Sequence, residues 1–469
     1  MISISEGNLL YEEDKILTDI NLTIKSGECV VICGESGSGK SSLIRVLNGL
    51  IPELYEGNIE GKFNVLNRTL PTNEFHEYVK DIGVVFQNPK TQFFMSDVYS
   101  ELAFSMENYG WKRQEMRERI QSLSDIFSLT TLWSKSMVEL SGGQKQQIAF
   151  ASACMLPHKL FLLDEPSSNL DEKHIDILTD YLMWLKKNNQ TMIIAEHRLY
   201  YLLPVVDRFI VMKNGGIVQN MTKQELLSYK DSEISQLGLR SLTRPTLKQT
   251  QDTDGDSTEN QLECLNLFFQ YKNTDTSIEI EKLAFTSQSV TGIVGENGAG
   301  KTTLSYLLTG LLKPKKGMIT YNGKRQTTKE LISKSFLVMQ DVNFQLFFES
   351  VEKEIKAKAK RLDLFDVVVQ TLQLNQLLKR HPQTLSGGEK QRVAIASAVL
   401  SGKEIVILDE PTSGLDLKHM IEVSDMIKKL RQFGIILIIV SHDKEFLNLT
   451  CDHLVQMEEG KVNQNNQLE

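Results

Sequence analysis

An apolar run that leads into a glycine-rich loop, Glu28-Cys-Val-Val-Ile-Cys-Gly-Glu-Ser-Gly-Ser-Gly-Lys40-Ser41, carries the strongest structural signal in this 469-residue chain. The run is apolar on both faces, which is typical of a buried parallel strand. The loop matches the pattern G-x-x-x-x-G-K-[ST], whose backbone N–H groups surround phosphate oxygens at the start of a helix. In this pattern the lysine reaches the β- and γ-phosphates of a nucleotide, and the next hydroxyl binds Mg²⁺. The stretch therefore predicts a phosphate-binding loop with Lys40 and Ser41 as ligands.

The same pattern returns in the second half of the chain. Val290 to Val294 is an apolar run, and Gly295 to Thr302 matches the phosphate-binding loop again, with Lys301 and Thr302 as its ligands. Further segments recur in the same order: Leu140-Ser-Gly-Gly-Gln144 and Leu385-Ser-Gly-Gly-Glu389, Leu163-Asp-Glu-Pro166 and Leu408-Asp-Glu-Pro411, and the histidines His197 and His442. The chain therefore contains two tandem copies of one domain.

Composition excludes several classes of protein. Lys and Arg number 52 against 60 Asp and Glu, and the net charge of −8 gives no basic footprint for nucleic acid as a main partner. The hydrophobic share of 41% and the charged share of 24% are ordinary for a folded protein, which excludes a mainly disordered chain. The longest aliphatic run, Ile435 to Val440, is too short to span a membrane.

The cysteines and the N-terminus bear on the compartment. Five scattered cysteines are an odd number, which argues against a disulfide framework and for a reducing compartment. Met1 to Lys15 lacks the basic start and apolar core of a signal peptide. We therefore expect a cytosolic chain, unless partners hold it at a membrane.

The order of the segments predicts an α/β fold. Short apolar runs alternate with helix-like stretches in both copies, as expected of parallel sheets covered by helices. We predict a first domain over residues 1–230 and a second over 261–469. Residues 231–260 form the predicted acidic, polar linker because Lys248 to Gln261 has no apolar residue. A helix over Ser232 to Leu239 is compatible with this sequence but weakly signalled.

Two acidic pairs follow predicted strands. Asp164 and Asp409 suit Mg²⁺, directly or through water, and Glu165 and Glu410 suit a general base that activates the attacking water. Alone, such a pair would more often be a solvated turn. Their position downstream of a phosphate-binding loop in both copies favours the catalytic interpretation.

Other residues become candidates only through their position relative to these motifs. Gln87 and Gln340 follow apolar runs and could reach both Mg²⁺ and the lytic water, and His197 and His442 could contact the γ-phosphate. Ser141 and Ser386 begin helix-like stretches, which a helix cap alone would explain, but the paired glycines after them suit close approach to an anion. Tyr11 and Tyr271 precede the two loops and could stack on a base, with a core position as the alternative.

The complete set resembles the nucleotide-binding subunits of ABC ATPases, over nearly the whole chain and twice. The resemblance implies two P-loop NTPase domains, each with a RecA-like core and a helical subdomain, and two ATP sites formed head to tail. One site would pair Gly34 to Ser42 with Ser386 to Glu389, and the other Gly295 to Thr303 with Ser141 to Gln144. Ser168 to Asp171 and Ser413 to Asp416 look like the family's D-loops. Gln147 departs from the arginine usual in the family, present here as Arg392, which puts helix packing in doubt more than chemistry.

The ligands implied by this resemblance are ATP and Mg²⁺. The predicted ATP-binding residues are Tyr11, Gly34, Glu35, Ser36, Gly37, Ser38, Gly39, Lys40, Ser41, Ser42, Ser141, Gly142, Gly143, Gln144, Tyr271, Gly295, Glu296, Asn297, Gly298, Ala299, Gly300, Lys301, Thr302, Thr303, Ser386, Gly387, Gly388 and Glu389. The predicted metal-binding residues are Ser41, Gln87, Asp164, Thr302, Gln340 and Asp409. The predicted catalytic residues are Glu165, Glu410, His197, His442, Gln87 and Gln340.

A narrower resemblance follows the two glutamines. Gln87 to Phe94 and Gln340 to Phe347 share Q-x₄-Q, an apolar residue and Phe, and a Val-x-x-Glu segment follows each of them. These segments, with Glu196-His-Arg-Leu199, look like the ATPases of energy-coupling factor transporters, which import vitamins and related micronutrients. The resemblance implies two membrane partners, a transmembrane coupling subunit and a substrate-binding subunit, no nucleic acid, and a peripheral location on the cytoplasmic face of the membrane. The phenylalanines Phe93, Phe94, Phe347 and Phe348 would receive coupling helices or, in the alternative, belong to the core.

A second hypothesis keeps the same ATP sites. A soluble tandem ABC ATPase that acts on ribosomes or nucleic acid would need them equally. Such proteins usually carry a long basic linker, whereas Asp252, Asp254, Asp256 and Glu259 make this linker acidic.

Overall fold

The computed structural model describes residues 1–168, 170–248, 260–272, 277–287, 289–411 and 414–463. Contacts divide the chain into two compact units, which we describe separately. Unit 1 contains Met1–Arg244 with Gly414–Lys418, and unit 2 contains Pro245–Ser413 with His419–Glu469. Residues 249–259 of the predicted linker and residues 169 and 413 of the predicted D-loops lie outside the described residues.

Unit 1 alternates strands and helices as the sequence predicts. Its strands are β1 (Ile2–Tyr11), β2 (Asp14–Ile24), β3 (Cys29–Gly34), β4 (Asn58–Val65), β5 (Arg68–Leu70), β6 (Ile82–Val85), β7 (Leu160–Asp164), β8 (Thr191–Ala195), β9 (Arg208–Lys213) and β10 (Gly216–Thr222). Its helices are α1 (Lys40–Leu47), α2 (Leu50–Glu53), α3 (Phe75–Val79), α4 (Val98–Asn108), α5 (Arg113–Phe127), α6 (Gly142–Ala153), α7 (Glu172–Lys187), α8 (Lys223–Leu227) and α9 (Asp231–Gln236).

The central sheet of unit 1 has the order β10-β9-β3-β8-β7-β6. Strands β3, β6, β7, β8 and β9 are parallel, and β10 pairs antiparallel with β9. Successive residues of β3 enter different cores: Cys29 and Val31 pack on one face, and Val30 and Ile32 on the other. Burial on both faces explains why the sequence reads as a continuous apolar run. A separate antiparallel sheet has the order β2-β1-β4-β5.

Unit 2 repeats this plan. Its strands are β11 (Gln261–Gln270), β12 (Ser277–Thr286), β13 (Val290–Val294), β14 (Lys316–Tyr321), β15 (Lys324–Arg325), β16 (Ser335–Val338), β17 (Ile405–Asp409), β18 (Ile436–Val440), β19 (His453–Glu458) and β20 (Lys461–Asn463). Its helices are α10 (Lys301–Leu308), α11 (Thr328–Lys334), α12 (Val351–Lys356), α13 (Phe365–Thr371), α14 (Gly387–Leu400), α15 (Leu417–Leu430) and α16 (Lys444–Thr450).

The parallel core of unit 2 has the order β19-β13-β18-β17-β16, which matches the order β9-β3-β8-β7-β6 of unit 1. A contact between β12 and β20, at Glu279 and Lys461, joins this core to the antiparallel strands. In both units the phosphate-binding loop therefore follows a central strand, β3 or β13. The acidic pair lies at the end of β7 or β17, which is two strands away in the same sheet. The α/β fold with two tandem domains is confirmed.

The first unit extends beyond the predicted boundary at residue 230. Residues 231–244 pack as part of unit 1 and not as a linker, because Ile234, Leu239 and Leu242 are buried in its core. The predicted helix over Ser232 to Leu239 is present in shorter form as α9. The remaining predicted boundaries stay predictions.

The cysteines and the helices bear on the expected absence of disulfides and of membrane spans. All five cysteine thiols are free, as expected, and burial raises the pKa of Cys29 and of Cys33 to about 12. Among the residues that the structure describes, none of the helices combines the length and apolar character that crossing a membrane requires.

Candidate functional site

The phosphate-binding loop of unit 1 joins β3 to α1. Gly39 precedes the helix in a left-handed conformation, with φ at 97°, which suits glycine. Lys40 is buried, and its Nζ donates to the carbonyl oxygens of Gly34 at 3.0 Å and Glu35 at 2.9 Å, so it lies across the loop. Burial lowers the pKa of Lys40, although nearby Glu165 opposes the shift. Ser38 Oγ is buried and has no hydrogen-bond partner in the described part of the chain, as expected of a group reserved for a ligand oxygen.

Unit 2 builds the same loop between β13 and α10. Gly300 has a φ of 98°, close to that of its counterpart in unit 1. Lys301 Nζ donates to the carbonyl oxygens of Gly295 at 2.7 Å and Glu296 at 3.0 Å. The other predicted loop residues, Ser36, Gly37, Ser42, Asn297, Gly298, Ala299 and Thr303, lie in the same two loops or the first turns after them. Both loops therefore present a lysine and helix-start N–H groups to the space where phosphate would bind.

The predicted metal ligands meet at the edge of each sheet. Ser41 Oγ, at the start of α1, donates to Asp164 Oδ1 at 2.9 Å, and Thr302, at the start of α10, lies close enough to Asp409 to lower its pKa against the effect of burial. Burial raises the pKa of both aspartates to about 6. A hydroxyl beside a carboxylate is a set of hard oxygen donors, and such donors fit Mg²⁺.

The predicted general base of unit 1 contacts the predicted glutamine and histidine. Glu165 Oε2 accepts a hydrogen bond from Gln87 Nε2 at 2.6 Å. His197 Nε2 lies 3.4 Å from Glu165 Oε1, without the alignment of a hydrogen bond. Glu165 has a φ of 44° and its counterpart Glu410 one of 49°, a left-handed conformation that is uncommon outside glycine. Conformations of this kind cluster at functional sites.

The predicted general base of unit 2 has different partners. Glu410 accepts from Ser441 Oγ at 3.1 Å, and its Oε1 lies 2.8 Å from His442 Nδ1. Burial alone raises the pKa of Glu410, but His442, Lys301 and Ser441 outweigh burial and hold that pKa below its ordinary value. Gln340 follows β16 as Gln87 follows β6.

The residue before the histidine accounts for this difference. Unit 1 has Glu196 where unit 2 has Ser441. Glu196 is buried, and its carboxylate accepts from the backbone N–H groups of Ser167, His197 and Arg198 and from the Tyr201 hydroxyl. Sequence reasoning singled out the segment but missed this role, since the partners Ser167 and Tyr201 are not adjacent in the chain.

The Leu-Ser-Gly-Gly segments begin helices, as predicted. Ser141 Oγ accepts from Gln144 N at 3.2 Å and Gln144 Oε1 accepts from Ser141 N at 3.1 Å, which caps α6. Ser386 and Glu389 form the same capping box at α14. The first glycines, Gly142 and Gly387, are the first residues of these helices. The second glycine of unit 1, Gly143, packs on the His174 ring, whereas Gly388 has open space beside it. The capping role of the serines is therefore established, and an anion contact stays a prediction.

The two tyrosines end equivalent strands. Tyr11 is the last residue of β1 and is partly packed on the core, whereas Tyr271 follows β11 and is 41% exposed. A stacking role for either tyrosine stays a prediction.

The departure at Gln147 lies away from the phosphate-binding loop. Gln147 lines a small cavity between helices together with Tyr181 and Trp184. Arg392 lines the corresponding cavity in unit 2, beside Glu422. An effect of Gln147 on helix packing stays a prediction.

Three of the four phenylalanines after the glutamines are exposed. Phe94 is 70% exposed and Phe347 78% exposed, and Phe348 is also exposed. Phe93 alone packs against the core. The alternative that all four belong to the core is therefore wrong.

Two phosphate-binding loops, each with a magnesium-type donor set and a buried glutamate, define a tandem P-loop NTPase. The ABC transporter family profile matches residues 17–168 and 280–413, and the chain belongs to this family. It is accordingly an ABC-type ATPase with two ATP-binding domains.

Relatives agree with this assignment. A protein of Treponema denticola named "Putative ABC transporter ATP-binding protein" is 38% identical over 95% of this chain and 92% of its own length. Among solved structures, an RNase-L inhibitor matches with a TM-score of 0.64 and 23% identity over 98% of this chain and 90% of that one. The archaeal ribosome recycling factor aABCE1, solved with a ribosomal stalk protein, matches with a TM-score of 0.62 and 24% identity, over 95% of this chain and 87% of that one. At this identity the two structures show that the fold is shared.

Proposed function

We propose that this chain is the ATP-hydrolysing motor subunit of an ABC importer, of the energy-coupling factor type, for a vitamin or related micronutrient. The exposure of Phe94 and Phe347 carries the proposal. Exposed phenylalanines at equivalent positions, a few residues after the glutamine of each copy, suit the docking of apolar helices from a membrane partner. The name of the Treponema relative also supports a transporter. The partners would be a transmembrane coupling subunit and a substrate-binding membrane subunit, and the chain would lie at the cytoplasmic face of the membrane.

The chain's own residues supply the hydrolysis in this proposal. Lys40 and Lys301 hold the β- and γ-phosphates in the two loops. The Mg²⁺ ligands would be Ser41, Asp164 and Gln87 in unit 1, and Thr302, Asp409 and Gln340 in unit 2. When bound, the ion neutralises negative charge on the phosphates.

The glutamates complete the proposed chemistry. Glu165 and Glu410 take a proton from the attacking water, and His197 and His442 contact the γ-phosphate. The pairing of each phosphate-binding loop with the Leu-Ser-Gly-Gly segment of the other copy stays a prediction of the family resemblance.

Removal of both general bases tests the chemistry. The double variant Glu165→Gln/Glu410→Gln should lose hydrolysis by about 10²-fold or more, because proton removal by a positioned base contributes that much. ATP binding should persist, since both lysines remain. Phosphate release and nucleotide binding are measured on the same preparations, with Glu107→Gln on the exposed end of α4 as the control. Unchanged turnover in the double variant would contradict the general-base assignment.

Co-purification tests the partner. The tagged wild-type chain is isolated from membranes in mild detergent beside the variant Phe94→Ser/Phe347→Ser. Two small, strongly hydrophobic membrane proteins that accompany the wild type and not the variant would support the importer, and the substrate-binding subunit would indicate the solute. A chain that stays free of membrane proteins in both preparations would end this proposal.

A second candidate is an ATPase that acts on ribosomes or nucleic acid. Two structural neighbours support this candidate. Both share the tandem fold over nearly the whole chain, and one of them is a ribosome recycling factor. The net charge of −8 and the acidic residues between the two copies count against it. Ribosomal proteins in the co-purification would decide for this candidate.

A further inference from the structure

A buried carboxylate holds the loop that carries the exposed phenylalanine of unit 1. One oxygen of Glu101, Oε2, accepts from the backbone N–H groups of Phe94 at 2.9 Å and Met95 at 2.8 Å. Glu101 lies in the first turn of α4 and is only 4% exposed. Two successive N–H groups can point at one oxygen only in a restricted backbone conformation. Glu101 therefore restrains the backbone from which the Phe94 side chain leaves the loop.

Unit 2 contains the same arrangement. Oε2 of Glu354, in the first turn of α12, accepts from the N–H groups of Phe347 at 2.7 Å and Phe348 at 2.9 Å. Glu354 is 8% exposed, whereas Phe347 beside it is mostly exposed. In unit 1 the Phe94 ring has one aromatic contact, a stack on Phe104 of α4 with 4.8 Å between the ring centroids. The recurrence of a costly buried carboxylate at both loops indicates a shared requirement.

A glutamine side chain holds the opposite end of each loop. In unit 1, Gln92 Oε1 accepts from Phe86 N at 3.3 Å and its Nε2 donates to Val84 O at 3.1 Å, which ties the loop to the end of β6. Gln345 makes the same two contacts with Met339 N and Leu337 O, at 2.9 and 2.7 Å. The glutamines therefore hold the end that contains Gln87 or Gln340.

We propose that Glu101 and Glu354 are positioning residues that set the pose of the two exposed phenylalanine loops for a docking partner. The glutamates hold the docking end of each loop, and the glutamines Gln92 and Gln345 hold the catalytic end. The proposal rests on the proposed function for the partner's identity. The positioning itself is a property of this chain alone.

Hydrogen exchange of the full chain tests the positioning without any partner. The variant Glu101→Ala should lose roughly 10- to 100-fold of the protection at the Phe94 and Met95 amides, as expected when a charged acceptor is removed. Glu107→Ala, an exposed glutamate in the same helix, is the matched control and should change nothing. Glu101→Gln should retain most of the protection, because one carbonyl oxygen can accept both N–H groups.

The same comparison in unit 2 uses Glu354→Ala with Glu352→Ala, a partly exposed neighbour in α12, as control. If the alanine variants do not fold, Glu101→Asp and Glu354→Asp withdraw the oxygen by one methylene and keep the charge. Unchanged exchange at the two loop amides would overturn the proposal. A loss of protection spread over the whole unit would also overturn it, since that result shows a general structural role.

Reconstitution with the co-purified membrane partner tests the consequence. In Glu101→Ala/Glu354→Ala the partner-stimulated ATPase rate should fall at least tenfold, and the basal rate should stay unchanged. Equal stimulation of this variant and the wild type would contradict the positioning role. Failure of the wild type to bind any membrane partner would refute the proposed function instead, and the exchange result would still decide the present inference.

Discussion

Glu196 is a buried carboxylate whose two oxygens each accept two hydrogen bonds. Oε1 accepts from the N–H groups of His197 at 2.8 Å and Arg198 at 3.1 Å. Oε2 accepts from Ser167 N at 3.2 Å and the Tyr201 hydroxyl at 2.9 Å. Burial, reinforced by Glu196, raises the pKa of Tyr201 well above its ordinary value, so the hydroxyl keeps its proton as a donor.

The substitution Glu196→Gln exchanges one of these oxygens for an amide group that can only donate. With the amide nitrogen at the Oε2 position, the Tyr201 hydroxyl can turn to accept from it, and Ser167 N is left without its acceptor. A hydrogen bond to a charged group contributes about 1.5–3 kcal/mol, so the loss should be about 1.5–3 kcal/mol. For a unit of this size that corresponds to a fall in Tm of roughly 3–12 °C.

Tryptophan fluorescence is the appropriate assay. All three tryptophans, Trp111, Trp133 and Trp184, lie in unit 1, so their fluorescence reports the unfolding of the unit that contains Glu196. Thermal and urea unfolding of Glu196→Gln are compared with those of Glu107→Gln, which removes an exposed charge and should stay within about 0.5 kcal/mol of the wild type. A Glu196→Gln midpoint as high as the control's would refute the reasoning, because it would show that the four contacts do not stabilise the unit.

Two further predictions concern the equivalent positions of the copies. A Cβ added at Gly143 would lie 2.2 Å from the His174 ring, so Gly143→Ala should destabilise unit 1 by about 1–3 kcal/mol. Gly388 has open space beside it, so Gly388→Ala should not destabilise unit 2. Both variants are compared with the wild type in unfolding experiments without nucleotide. Similar losses in both variants would contradict the steric argument. Burial raises the pKa of Asp164 and Asp409 to about 6, so lowering the pH from 7 to 5 protonates both, stabilises the metal-free fold and weakens Mg²⁺ binding. Asp164→Asn/Asp409→Asn should abolish this contribution to the pH dependence of Tm in EDTA, and an identical profile in the variant would exclude these groups as its source.

The sequence predicts the central strands and phosphate-binding loops of both domains well, because these elements follow from local sequence patterns. A strand buried on both faces reads as a continuous apolar run, and Cys29–Gly34 and Val290–Val294 are found where those runs occur. The G-x-x-x-x-G-K-[ST] pattern encodes its own backbone geometry, as the left-handed Gly39 and Gly300 show. Such features need no information about distant residues.

The missed features depend on distant contacts. Residues 231–244 look polar, yet three scattered apolar side chains, Ile234, Leu239 and Leu242, are enough to attach them to the core of unit 1. The partners of Glu196 are likewise unrecognisable from spacing. The exposure of Phe94 could not be read from its type, because phenylalanine is more often buried and only the folded loop shows which side it takes.

The two copies differ at the residue before the predicted catalytic histidine, which is Glu196 in unit 1 and Ser441 in unit 2. Their lysines, magnesium-type donors and left-handed glutamates correspond closely. Ser441 donates to Glu410, whereas a carboxylate at the same place, Glu196, cannot donate to Glu165 and turns to the backbone of its own loop instead. Gln87 donates to Glu165 Oε2, the oxygen that corresponds to the one Ser441 contacts in Glu410. The duplication therefore preserves the groups that would face the phosphates and varies the hydrogen bonds made by the predicted general base.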